Sequence, residues 1–91
     1  MKATLIKDFG IDDSQLPITR HRKFYSLDEP LEGYKYVIVS VVDSSIKWIS
    51  KEARIYPANE DGELTLWEEI GETSKGVLTH EQALKNAGYD V

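Results

Sequence analysis

The residues of this 91-residue chain that could do acid–base or ligand chemistry are few, and their spacing suits none of it. His21 and His80 are the only histidines. His80 falls on one helical face with Ala83, Leu84 and Ala87, which reads as a packing position. The adjacent carboxylate pairs Asp12/Asp13, Asp28/Glu29 and Glu68/Glu69 would point to opposite faces of a strand and could not share a substrate. No G-x-S-x-G, H-E-x-x-H, P-loop or G-x-G-x-x-G spacing occurs. The chain reads as a non-enzyme with no catalytic residue and no cofactor.

Two clusters invite ligand chemistry. Asn59, Asp61, Gly62, Leu64 and Glu68 fall at positions three, five, six, eight and twelve of a calcium-loop pattern, but Pro57 stands at position one, where a carboxylate is needed. The flanks also alternate like strands, so the segment reads as a hairpin turn and no metal site is assigned. Arg20-His21-Arg22-Lys23, followed by Phe24-Tyr25, is basic with adjoining aromatics. Alternation puts Arg20 and Arg22 on one face and His21 and Lys23 on the other. Such a strand is either a solvated, charged edge or a contact surface for an anionic partner.

The remaining candidates are large rings. Trp48 and Trp67 both alternate against the inward residues of their segments, and Tyr56 lies on the same side as Trp67. Outward aromatics and arginines are enriched at protein interfaces. Trp48, Tyr56, Trp67, Arg20 and Arg22 are therefore the expected protein-binding residues. The alternative is that the helix covers that face and the tryptophans are core.

Positioning these residues takes a sheet and one helix. Ala3–Lys7 and Ile18–Leu27 read as strands, with Asp8–Pro17 as the loop between them. Tyr36–Val42 is apolar on both faces apart from Ser40, the pattern of a central strand. Ile46–Ser50 is ambiguous. Glu52–Tyr56 and Glu63–Trp67 alternate about the Asn59–Gly62 turn, with Leu64 and Leu66 facing Ala53 and Ile55. Thr79-His80-Glu81-Gln82 is a capping box opening a short helix, Glu81 and Lys85 pair along it, and Gly88 ends it. The expected fold is α+β: an antiparallel sheet of about five strands with the C-terminal helix on one face. It forms a single domain over 1–91, divided into N-terminal strands and loops (1–33), central strand and hairpin (34–70) and helix (79–88). Leu5, Val37, Val39, Val41, Ile55, Leu64, Leu66 and Leu84 should be core.

Composition narrows the class. Hydrophobic residues at 41% and charged ones at 30% suit a globular domain, not a disordered tail. With no cysteine, disulfides and thiolate zinc sites are impossible. No apolar run reaches membrane-spanning length, and the N-terminus leads into no signal sequence. A net charge of −5 argues against electrostatic binding of nucleic acid. Glu60, Asp61, Glu63, Glu68, Glu69 and Glu72 lie between Pro57 and Ser74 with no basic residue among them. That face could imitate phosphates, although the remainder of the chain is mixed in sign.

Tyr36-Val37-Ile38-Val39-Ser40, the run from Glu52 to Gly62, Trp67-Glu68-Glu69-Ile70, Thr79-His80-Glu81-Gln82-Ala83-Leu84 and Ala87-Gly88-Tyr89 form a further pattern. Over roughly residues 36–89 this resembles short uncharacterised proteins of tailed bacteriophages. No activity comes with the resemblance. It implies a phage accessory protein that binds a host or phage protein in the host cytoplasm. Rival readings are a minor structural or assembly component of the virion, and an acidic inhibitor that mimics DNA. A homodimer burying Trp67, Tyr56 and Trp48 is also expected if Met1–Gly33 does not cover that face.

Overall fold

In the computed structural model the described residues are 1–44, 52–66, 70 and 79–91. Four strands, β1 (Ala3–Gln15), β2 (Ile18–Leu31), β3 (Tyr34–Ser44) and β4 (Glu52–Ala58), form one antiparallel sheet in the order β1-β2-β3-β4. One helix, α1 (His80–Asn86), packs on it. The α+β architecture is as expected, but among the described residues the sheet has four strands and not about five.

The strand expected at Glu63–Trp67 is not formed over its described residues, 63–66. Its turn forms: the Asn59 side-chain oxygen accepts the amides of Asp61 and Glu63, both at 3.0 Å, and Gly62 takes a φ of 82°. The return then makes only an isolated bridge, Leu64 to Ala58, and a Thr65 N–H bond to the Pro57 carbonyl at 3.1 Å. Proline has no amide hydrogen to complete a ladder there. Ile70 rejoins the outer side of β4 through its amide to the Ile55 carbonyl, 2.8 Å.

A second correction concerns Asp8–Pro17, expected as a loop. Most of it is strand, because its turn-forming residues make bulges instead. Asp8 accepts the Gly10 amide at 2.8 Å and Asp12 the Ser14 amide at 3.0 Å, at two of the three register shifts between β1 and β2. Each local bond replaces a ladder bond and bends the strand without ending it. The β1–β2 hairpin turns at Leu16–Pro17, whose peptide bond is cis. The β2–β3 hairpin turns on Glu32 and Gly33, both at positive φ (50° and 89°), the twist that two-residue hairpins prefer.

β3 is central and buried on both faces. Val37, Val39 and Val41 join Tyr25, Leu27, Ala53, Ile55, Ala83, Leu84 and Tyr89 in the core beneath the helix. Ile38, on the other face, packs with Phe24 and Ala58. Leu5 and Leu66 are not core, at 47% and 45% exposed. Leu5 lies on the bulged edge strand, and Leu66 lies just past the single bridge that ties its segment to β4. Leu64 is half-buried but packs with Phe24 and Ile38, on the face opposite Ala53 and Ile55.

The helix follows its capping signals, although Glu81, expected to pair with Lys85, meets Lys23 of β2 instead. The Thr79 hydroxyl accepts the Gln82 amide at 3.1 Å, and the Gly88 and Tyr89 amides close the last turn on Lys85 and Leu84. His80, Ala83 and Leu84 are its buried face. None of the described helices is long and apolar enough to cross a membrane.

Candidate functional site

With α1 on one face, the other face of the sheet carries no helix among the described residues. The ladder registers array it in rows. Asp12 faces Arg20, which faces Val42 and then Glu52. In the next row Arg22, Ser40 and Arg54 are direct cross-strand partners, and in the next Phe24, Ile38 and Tyr56. Strand alternation therefore sets Arg20, Arg22 and Tyr56, three of the expected binding residues, on one surface. Trp48 and Trp67 lie outside the described residues.

Two hollows open on this surface. One, of about 570 Å³, is lined by Phe9, Arg20, Arg22, Ile38, Glu63 and Leu64 among others. The second, about 400 Å³, is lined by Arg20, Arg22, Ser40, Tyr56 and Leu64 with Ile38 and Val42. They share both arginines, Ile38 and Leu64, so they form one groove with the guanidinium groups at its waist. The Asn59–Gly62 turn builds one wall. A Cβ on Gly62 would lie 3.4 Å from the Phe24 ring, and that ring stacks on Tyr36 at 5.8 Å. The other wall is the β1 bulge, which turns out Phe9 with the Lys7 ammonium 5.1 Å from its ring centroid.

The charges within the groove are unevenly matched. Hydrogen bonds from the Ser14 side chain and amide hold the Asp12 carboxyl below its ordinary range, and Arg22 and Arg20 pull it lower still. Arg54 bonds Glu52 at 2.8 Å, and that bond, followed by one to Tyr56, raises its pKa. Arg22 has no hydrogen bond or ion pair among the described residues, only the longer-range attraction of Asp12. Ser40 is 5% exposed, its hydroxyl makes no hydrogen bond among the described residues, and it lines the smaller hollow.

The helix face gathers the other titratable groups. His21 Nε2 lies 2.6 Å from the Asp8 carboxylate, and His80 Nε2 donates to the His21 carbonyl at 2.7 Å. Their rings meet edge to face at 4.7 Å. Burial pushes the His80 pKa down, so its imidazole is neutral and serves as an anchor for the helix. Lys23 reaches Glu81 at 3.8 Å. Among the described residues no three His, Cys, Asp or Glu side chains are grouped to hold a metal ion.

Sequence reading missed Phe9, Ser40, Ile38 and Leu64 as groove residues. Ser40 carried the one visible signal, as the polar interruption of an otherwise apolar run. No protein-family model, no curated protein and no solved structure matches the chain.

Proposed function

We propose that this chain is a small non-enzymatic protein-binding module that docks its partner on the sheet face opposite the helix. The groove itself carries the reading: exposed and half-buried apolar side chains (Phe9 and Leu64) stand beside two arginines and a tyrosine. An apolar hollow with Arg and Tyr at its rim is the composition of interface hot spots. Resemblance to small tailed-phage proteins supports a host or phage protein as the partner, met in the host cytoplasm.

A pull-down from infected-cell lysate tests the proposal, using the wild-type chain beside a Phe9→Glu variant. Phe9 is 44% exposed, so the change leaves the core intact while placing a carboxylate in the hollow. A protein retained by the wild type and lost with the variant, at unchanged melting temperature, is the expected result. Equal retention by both, or no retained protein, overturns the proposal. Recovery of the chain in purified particles would favour the virion-component reading instead.

A further inference from the structure

We infer that the recess formed by Arg22, Ser40 and Tyr56 is a carboxylate-binding subsite, filled by a Glu or Asp side chain on an extended segment of the partner. The inference rests on the protein-binding reading and adds to it the chemistry of what is bound.

The first ground is the pairing of donors. Arg22 and Ser40 are direct cross-strand partners, which brings their backbones to about 5 Å. Both side chains line the same hollow, and neither has a hydrogen-bond partner among the described residues. Ser40 is nineteen-twentieths buried as a residue, and no buried side-chain polar atom among the described residues lacks a partner, so its unbonded hydroxyl is the part that opens to the hollow and can donate there. A guanidinium fork beside a hydroxyl offers three donor hydrogens to one small oxyanion.

Charge decides which oxyanion fits. Arg54 is bonded to Glu52, whereas Arg22 and Arg20 both act on the single Asp12 carboxylate, Arg22 the more strongly. Arg22 makes no hydrogen bond or ion pair among the described residues, so two arginines beside one Asp12 carboxylate leave a net positive charge there. A single net charge suits a carboxylate monoanion. A phosphate near its second ionisation would bring almost two negative charges toward Asp12, Glu63 and Glu52.

The groove also specifies the surrounding peptide. It continues past the arginines on both sides, so a chain can pass through and the acid need not be a terminus. Ile38 lies two residues from Ser40 on β3, on the same face, at a spacing of about 6.7 Å. An extended peptide spaces its own alternate side chains equally. The occupant therefore carries an acidic residue and an apolar residue separated by one position, the apolar one seated against Phe9, Ile38 and Leu64.

Panning a random twelve-residue peptide library against the wild-type chain and against Arg22→Gln tests this directly. Wild type should enrich acid-x-apolar or apolar-x-acid patterns, and Arg22→Gln should keep the apolar preference while losing the acidic one. In a synthetic peptide of the selected pattern, Glu to Gln should weaken wild-type binding about tenfold and leave binding to Arg22→Gln unchanged. Ser40→Ala serves as the second variant, with a smaller loss of the same preference, should Arg22→Gln fail to fold. Apolar selection without an acidic preference, or an acidic preference that survives in Arg22→Gln, overturns the subsite while leaving the docking face standing. Tighter binding when phosphoserine replaces the glutamate overturns the carboxylate assignment. A library that yields no binder, or only binders indifferent to Phe9→Glu, sinks the docking face as well.

Discussion

Leu84→Ala should remove roughly a fifth to three-fifths of the stability of this domain. The Leu84 side chain is 0% exposed, under a helix of only seven residues whose buried face is His80, Ala83 and Leu84. Truncating a fully buried leucine costs about 3 kcal/mol, from lost transfer energy and the cavity left behind. A chain of this length is expected to have about 5–14 kcal/mol in all. Its unfolding entropy scales to roughly 0.19 kcal/mol/K, so the melting temperature should fall by about 16 °C. So short a helix has no stability of its own in water and exists by docking. The loss should therefore appear in the far-ultraviolet helix signal and in the global transition together. Urea denaturation followed by circular dichroism and by tyrosine fluorescence measures both. A cost below about 1 kcal/mol, or a helix signal lost well before the sheet unfolds, would refute the claim that Leu84 joins the helix and sheet into one cooperative unit.

Three further outcomes are expected. Gly62→Ala should cost more than about 1 kcal/mol in urea denaturation, because φ of 82° strains any Cβ and that Cβ would press on Phe24 at 3.4 Å; an unchanged midpoint would contradict the turn geometry. His80 should make the fold acid-sensitive. Burial holds its folded pKa below 6.5, so the unfolded chain takes up the proton first, and stability present above pH 6.5 is lost as pH falls toward the folded value. His80→Gln, which can keep a donor to the His21 carbonyl without titrating, should flatten the dependence of melting temperature on pH between 7 and 5, and parallel curves for the two proteins would sink this account. Sedimentation equilibrium at micromolar concentration should report a 10.4 kDa species if the groove is kept for another protein, whereas a two-fold dimer abolished by Phe9→Glu would make a second copy its occupant.

What the sequence made legible was local or periodic. The helix could be read because Thr79, Gln82 and Gly88 act on their own neighbours, and β3 because seven residues show no polar face except at Ser40. The first hairpin could not. Asp8, Gly10 and Asp12 are the residues of a loop, and only the presence of β2 alongside turns their side-chain bonds into bulges of a continuous strand. The expected fifth strand failed for a related reason. Leu64 and Leu66 alternate correctly, but pairing depends on the opposite residue, and Pro57 has no amide to give. Arg20, Arg22 and Tyr56 could be chosen by residue type and face. Phe9 and Ser40 required the cross-strand register, which lies between segments and not within any of them.

The basic run of β2 is divided by the pleat between two tasks. His21 and Lys23 turn to the helix side, where the His21 carbonyl holds His80 and the Lys23 ammonium reaches Glu81. Arg20 and Arg22 turn to the groove. The Lys23–Glu81 pair lies at the surface at 3.8 Å, and such pairs contribute about 1 kcal/mol or less, so apolar contacts under Leu84 do most of the fastening. Arg22, with no bonded partner among the described residues, contributes little that folding would miss. Stability and binding are thus assigned to opposite faces of one strand. Leu84→Ala should weaken binding only as far as it depletes the folded population, and stabilising co-solvent should restore it. Arg22→Gln should leave the unfolding curve in place and change which peptides bind. If Arg22→Gln instead unfolded the chain, or if Leu84→Ala altered peptide preference in the fully folded protein, the division of the two faces would be wrong.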